Sequence, residues 1–247
     1  MPREISHYLV RQFDYSKCAF TLENGEEVKI EEEDVQMILG LPRGELDIIE
    51  YENIETDDKL KAFRTRWGNP VNGAPLVPMK MIENKAADNN FKIDFVLFMV
   101  SYFLWCDHLS QVSRHRILKS ISDVDNIKKF NWCKFVFEGL VNSCEKWKGN
   151  EKRHYQGPQT FLILCYVYKV SNPELGGIND YRFPILSCWN DTMLKFRLDT
   201  EWANGGFGRG SDVGRIPLSP LQNEKTTKDE GEYEETYQDR GQTRRWI

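Results

Sequence analysis

Cys106, Asp107 and His108 stand side by side, and His115 follows seven residues later. Thiol and imidazole side chains ligate zinc, and a cysteine with a base and an orienting carboxylate can act as a nucleophile. The spacing matches neither a zinc ribbon nor a finger, and no second Cys/His pair lies nearby, so ordinary structural roles are expected for this group. The six cysteines (Cys18, Cys106, Cys133, Cys144, Cys165, Cys188) contain no CxxC pair, and four fall in apolar helical patterns, which predicts reduced core thiols. In the run Gly205-Gly206-Phe207-Gly208-Arg209-Gly210 the last glycine is misplaced for a dinucleotide-binding GxGxxG, and no strand precedes it. A flexible linker is expected there. Phosphate-loop, HExxH and GxSxG patterns are absent from the sequence, so no catalytic residue, cofactor or metal is expected.

Charge is the remaining pattern with chemical content. Residues 23–58 carry fourteen acids against two bases, whereas residues 110–154 carry ten Lys or Arg against five acids. Such asymmetry fits a basic partner surface, or solvated faces on opposite sides of the fold. Arg114, Arg116, Lys119, Lys128, Lys129 and Lys134 are the candidates for a phosphate- or partner-contacting face on two neighbouring helices. Against nucleic acid stand the sequence pI of 5.5 and the five-residue spacing of Arg114 and Lys119, which makes no single stripe. Trp132 and Trp147 lie on an apolar helical face and are expected to be core anchors rather than stacking platforms.

The elements that must position these residues are mostly helical. Phe91 to Cys106 is a nearly unbroken apolar run, interrupted by Asp94 and stopped by Asp107 and His108, too short for a membrane span and expected to be a central helix buried on all sides. A short helix is expected in the first ten residues. Asn24-Gly25 between two short apolar runs predicts a β-hairpin over Cys18 to Ile30, and an acidic first turn with Gly40 at the end predicts a helix over Glu31 to Leu39. Asp47 to Tyr51 reads as extended. Leu60, Phe63 and Trp67 mark a helix capped by Thr56 or Asp57, breakers at 69–75 mark a loop, and Pro78 fits the start of a short helix to Ala86. Ser113 to Ser122 reads as a helix, Asp123 to Lys129 as a turn or short helix, and Asn131 as the cap of an amphipathic helix to about Lys148. Gly157-Pro158 opens a nearly all-apolar helix from Gln159 to Val170. Pro184 opens a last helix, with Cys188, Trp189, Thr192, Met193 and Phe196 facing inward as far as about Glu201. After Ala203 glycine and polar residues take over, a composition that predicts disorder. The fold class is therefore mainly α: a single helical domain, residues 1–202, with a small N-terminal β-hairpin, and a disordered tail, residues 203–247. The N-terminal residues lack an apolar signal segment, so an intracellular protein is expected.

Three segments carry a family resemblance: VKIEEEDVQMILGLPRG (Val28 to Gly44), FVLFMVSYFLW (Phe95 to Trp105) and RILKSISDVDNIKKFNWCKFVFEGL (Arg116 to Leu140). Together they resemble the plant mobile domain family, also labelled aminotransferase-like, and the related regions upstream of plant Ulp1-type cysteine proteases. The LGLP-x-G turn and the D-V-D-x-I-K-x-x-N-W-C stretch are the most specific parts, and the resemblance covers about Phe13 to Phe196. It implies a transposon-related, mainly helical domain of a plant nuclear protein with no catalytic residues of its own. No lysine stands in a context for a pyridoxal Schiff base, and no strand–helix alternation supplies the large sheet of an aminotransferase. The expected function is a non-enzymatic nuclear interaction domain with a protein partner, contacting chromatin proteins or nucleic acid. The alternative is the non-catalytic N-terminal region of a Ulp1-type protease.

Overall fold

The computed structural model describes residues 3–52, 57–67, 88–105, 115–151, 154–171 and 182–214. Helix α1 (Arg3–Gln12) leads into strand β1 (Phe13–Asp14), which pairs antiparallel with β2 (Ala19–Thr21). Strand β3 (Glu27–Lys29) completes the sheet, in the order β1-β2-β3 and with Phe20 opposite Val28. The expected hairpin is thus two strands of a three-stranded sheet, turned at Gly25 with φ +83°. Helix α2 (Glu32–Leu39) begins where the Asp34 carboxylate accepts from the Glu31 amide at 2.7 Å, and it ends at Gly40 in the left-handed region, φ 69°.

Helix α3 (Asp58–Trp67) follows, then α4 (Asn89–Phe98), which continues as a π-helical segment over Met99–Leu104. Asp88 caps α4 by accepting from the Phe91 amide at 2.8 Å. Asp94, the break in the apolar run, is buried and held in a two-pronged pair by Arg66 of α3, at 2.9 and 2.6 Å. Where a helix was expected over Ser113 to Ser122, the described residues form short 3₁₀ turns, His115–Ile117 and Ser120–Ser122, followed by a longer one at Val124–Lys129. The Asp123 side chain there bonds the Asp125 amide, a local alternative to continuing a helix. Helix α5 (Trp132–Lys148) starts at Asn131, whose side chain accepts from the Lys134 amide at 2.9 Å, and buries Trp132, Val136, Leu140, Cys144 and Trp147. Trp132 and Trp147 are core anchors, as their spacing predicts.

Helix α6 (Gln159–Lys169) is the centre of the fold. Every residue from Thr160 to Lys169 is buried, and α1, α2 and the π segment pack on it. Phe161, Tyr166 and Tyr168 are among the largest fully enclosed side chains, each contributing on the order of 2 kcal/mol by burial. The helix gives way to β4 (Val170–Ser171), which pairs antiparallel with β5 (Ser211–Asp212).

The last helix departs from expectation in register. A 3₁₀ turn at Ile185–Cys188 precedes α7 (Asp191–Ala203), capped by Asn190, which buries Leu194, Arg197, Leu198 and Glu201. Met193 and Phe196 point outward, Phe196 being 68% exposed. The buried face is made by Leu194 and Leu198 together with Arg197 and Glu201, which pair with each other inside and so can be enclosed despite their charge.

Structure also continues past Ala203. The glycine run is no linker over its described length. Gly205, Gly206 and Gly208 all take positive φ and turn the chain so that Phe207 enters the core against Tyr8, ring centroids 5.7 Å apart. The rest of the expected tail, residues 215–247, lies outside the described residues, as do the loop at 69–75, the helix expected from Pro78 to Ala86, and the Cys106-Asp107-His108 group.

Candidate functional site: an apolar cleft with a lysine rim

Two polar arrangements stand out, and they differ in what they leave open. The first is internal. The Lys169 ammonium, 5% exposed, pairs with Asp34 at 2.7 Å and donates to the Lys29 carbonyl at 2.5 Å. One turn earlier on α6, the Tyr166 hydroxyl donates to Glu201 at 2.5 Å and accepts from the Gly208 amide at 2.8 Å, while Arg197 donates to the Val170 carbonyl at 2.8 Å. Burial, reinforced by the Glu201 charge, pushes the Tyr166 hydroxyl far above the usual phenol range. These groups are committed to one another: they join α2, α6, α7 and residues 204–214 into one body.

The second arrangement opens to solvent. Between α4 and the 3₁₀ turn Val124–Lys129 lies an open cleft of about 590 Å³, floored by Phe91, Phe95, Val96, Val124 and Ile127. Lys92, Lys128 and Lys129 stand around it with Asp125, three ammonium groups against one carboxylate. The volume falls in the range of about 300–1,000 Å³ usual for ligand sites. Phe95 remains 46% exposed and stacks with Phe91 at 6.1 Å between centroids. Farther along the helix Phe98 and Tyr102, 4.8 Å apart, are also only half-buried. Helical spacing puts Phe91, Phe95, Phe98 and Tyr102 on one stripe, while Asp94, Leu97, Ser101 and Leu104 form the buried one.

The predicted basic residues divide between this cleft and internal ties. Lys128 and Lys129 are exposed and line the cleft, with Lys129 also donating to Asn126 at 2.9 Å. Arg116 is exposed, and its carbonyl accepts from the Tyr51 amide. Lys119 lies over the Tyr51 ring, 4.6 Å from its centroid. Lys134 pairs with both oxygens of Asp47 at 2.9 Å, and this hydrogen bonding pushes its pKa up. Arg114 lies outside the described residues. The acidic and basic stretches are therefore not opposite faces. They meet, at Lys134 with Asp47 and where Asn131 donates to Glu32 at 2.8 Å.

This meeting gives the two most specific stretches of the sequence a structural job. The LGLP-x-G turn lies against the F-N-W-C segment: Arg43 bridges to Asn131, the Trp132 amide donates to the Pro42 carbonyl at 3.0 Å, and the Cys133 thiol donates to the Leu41 carbonyl at 3.3 Å. Gly44 has no room for a side chain, since a Cβ there would fall 1.9 Å from the Lys129 carbonyl oxygen. The turn thus pins the base of the segment that carries Lys128 and Lys129. Lys92, Phe91, Phe95, Val96, Val124 and Ile127 were not anticipated as site residues, because an apolar run of that kind reads as core. The one sequence signal was its excess of apolar residues beyond a single buried stripe.

Among the described residues, no group of three or more His, Cys, Asp or Glu is placed to hold a metal ion, and no helix is long and apolar enough to cross a membrane. Comparison with curated proteins finds a similarity to the ent-beyerene synthase KSL2, chloroplastic, of Oryza sativa subsp. japonica. It is 22% identical over 126 residues, covering 47% of this chain and 15% of that protein. No solved structure matches the chain. The family whose sequence model matches, over residues 1–163, is described as a domain of unknown function, DUF8566; the match takes in the sheet, the turn at Gly44, the cleft and the start of α6, and the chain belongs to that family.

Proposed function

We propose that this chain is a non-enzymatic interaction domain whose cleft receives an acidic segment of a partner protein bearing apolar side chains. The observation that carries the proposal is the pairing of an apolar floor with a rim of Lys92, Lys128 and Lys129. An apolar floor supplies binding free energy by burial, and rim charges raise the association rate and select partners of opposite sign. The resemblance to the plant mobile domain family supports placing the domain in a transposon-related plant nuclear protein, with a chromatin protein as the partner. The synthase similarity spans too little of that enzyme to bring its activity here.

Anisotropy of a labelled peptide alternating Glu with Leu or Phe, titrated with the full chain, tests this. Duplex DNA and single-stranded RNA of the same label serve as the other arms. Expected is peptide binding that weakens at least tenfold in a Lys92→Glu, Lys128→Glu, Lys129→Glu chain. Nucleic acid binding with a steep salt dependence and no peptide binding would replace this reading with a phosphate-contacting one.

A further inference from the structure

We propose that the outer face of α7 pairs with the same face of a second copy of this chain, the two helices running antiparallel about a two-fold axis. No residue of α7 lines the cleft, so the inference stands apart from the reading above. Phe196, 68% exposed, is the most exposed large apolar side chain among the described residues, and Met193 beside it is 38% exposed. Rolling the helix to bury them would bring Leu194 and Leu198 out, and with them the enclosed Arg197–Glu201 pair. A ring held in water this way is covered only by another body.

The charges on the face select that body. At about 100° per residue, Lys195 and Asp199 fall on one side of Phe196, and Met193 and Thr200 fall on the other. Beyond Lys195, Trp202 leans on Phe207 with ring centroids 5.7 Å apart and bounds the face there. Thr192 and Thr200, one turn before and one turn after Phe196, are short, so a second ring can lie beside the first. The Thr200 hydroxyl is already satisfied, donating to the Phe196 carbonyl at 2.7 Å. Lys195 and Asp199 are exposed, and neither side chain has a partner among the described residues, although their spacing is that of an intrahelical pair. A two-fold axis crossing the helix at the level of Arg197 sets Lys195 of each copy opposite Asp199 of the other, because the two positions lie equally far from it. Two ion pairs form on one flank. The two Phe196 rings then meet about 3 Å apart along the helix axis, an offset that suits stacking. A partner of one charge sign would meet its own sign at either Lys195 or Asp199, whereas a copy of this chain meets the opposite sign at both.

Sedimentation equilibrium of the full chain at concentrations up to about 1 mM reads the pairing, since a contact of one helix face is small and the dimer correspondingly weak. The unaltered chain is expected to dimerise. Lys195→Glu sets like charges opposite one another on that flank, as does Asp199→Lys with the sign reversed, so each variant alone should dimerise at least tenfold more weakly. Mixed one to one, the two variants should regain the unaltered affinity as a heterodimer, and so should the chain carrying both changes. A variant that failed to fold would not recover on mixing, so recovery reads the pairing itself. A chain that stays monomeric throughout, a dimer indifferent to both reversals, or weakened variants that do not recover on mixing would overturn the proposal.

Discussion

Helices α4 and α6 are built from nearly the same kinds of residue, yet only α6 is enclosed. Each residue of α6 from Thr160 onward is buried, whereas α4 hides one stripe and leaves Phe91, Phe95 and Phe98 partly in water, as the π segment after it leaves Tyr102. Neighbours account for the difference. Helix α6 has α1, α2 and the π segment around it and ends in a buried ion pair, Lys169 with Asp34. Helix α4 meets the rest of the described protein through Arg66 and the 3₁₀ turns and keeps the cleft on its other side. All-round hydrophobicity thus has two uses: one helix spends it on folding, and the other keeps part of it for contact.

The sharpest way to break this comparison is to remove the charge partner at the end of α6. Asp34→Ala leaves the Lys169 ammonium buried with no carboxylate and also removes the bond to the Glu31 amide. A loss of about 3–5 kcal/mol in urea unfolding is expected. A matched pair of truncations comes next. Phe161→Ala in α6 should cost about 3–5 kcal/mol, and Phe95→Ala in α4 should stay within about 0.5 kcal/mol, both read from denaturation midpoints. Similar losses at the two sites would erase the distinction.

An effect that appears only above about pH 8 comes from protons. Burial pushes the Cys144 thiol up to about 11 and the Cys133 thiol up to about 12, and it raises Cys165 further. Because these folded values lie above the unfolded one, the folded chain keeps protons that the unfolded chain releases. Stability from this source is complete below about pH 8.5 and falls as pH rises beyond it, by about 1.4 kcal/mol per thiol per pH unit until the folded value is reached. Unfolding midpoints at pH 7, 8, 9 and 10 check it: flat to pH 8, then declining. The same three thiols should resist a thiol reagent at pH 8 until the chain unfolds.

Most of the fold was legible because local chemistry announced it. Asn131, Asp88 and Gly40 are cap residues whose side chains or conformations do what their types predict, and Gln159 to Lys169 is the buried helix after Pro158 that its apolar composition implies, although the strand that follows it was not legible. Three features were hidden for physical reasons. The α7 register buries Arg197 and Glu201 as a pair beside Leu194 and Leu198, and charged residues read as surface when their partners are unknown. The order of 204–214 depends on Phe207 and on a bond from Gly208 to Tyr166, forty-two residues away. The cleft was misread because hydrophobic periodicity reports that a face avoids water, and not which body covers it. Of the six basic residues proposed for contact, Lys128 and Lys129 line the cleft, and Lys134 and Lys119 are tied to Asp47 and Tyr51.

The most direct test of the central claim is a joint measurement of stability and peptide affinity on the full chain carrying Phe95→Glu. If the exposed stripe of α4 serves contact, urea unfolding will shift by less than about 1 kcal/mol while affinity for the acidic, apolar-bearing peptide falls at least tenfold. A loss of several kcal/mol with affinity unchanged would show that Phe95 belongs to the folding core, and the claim would be wrong.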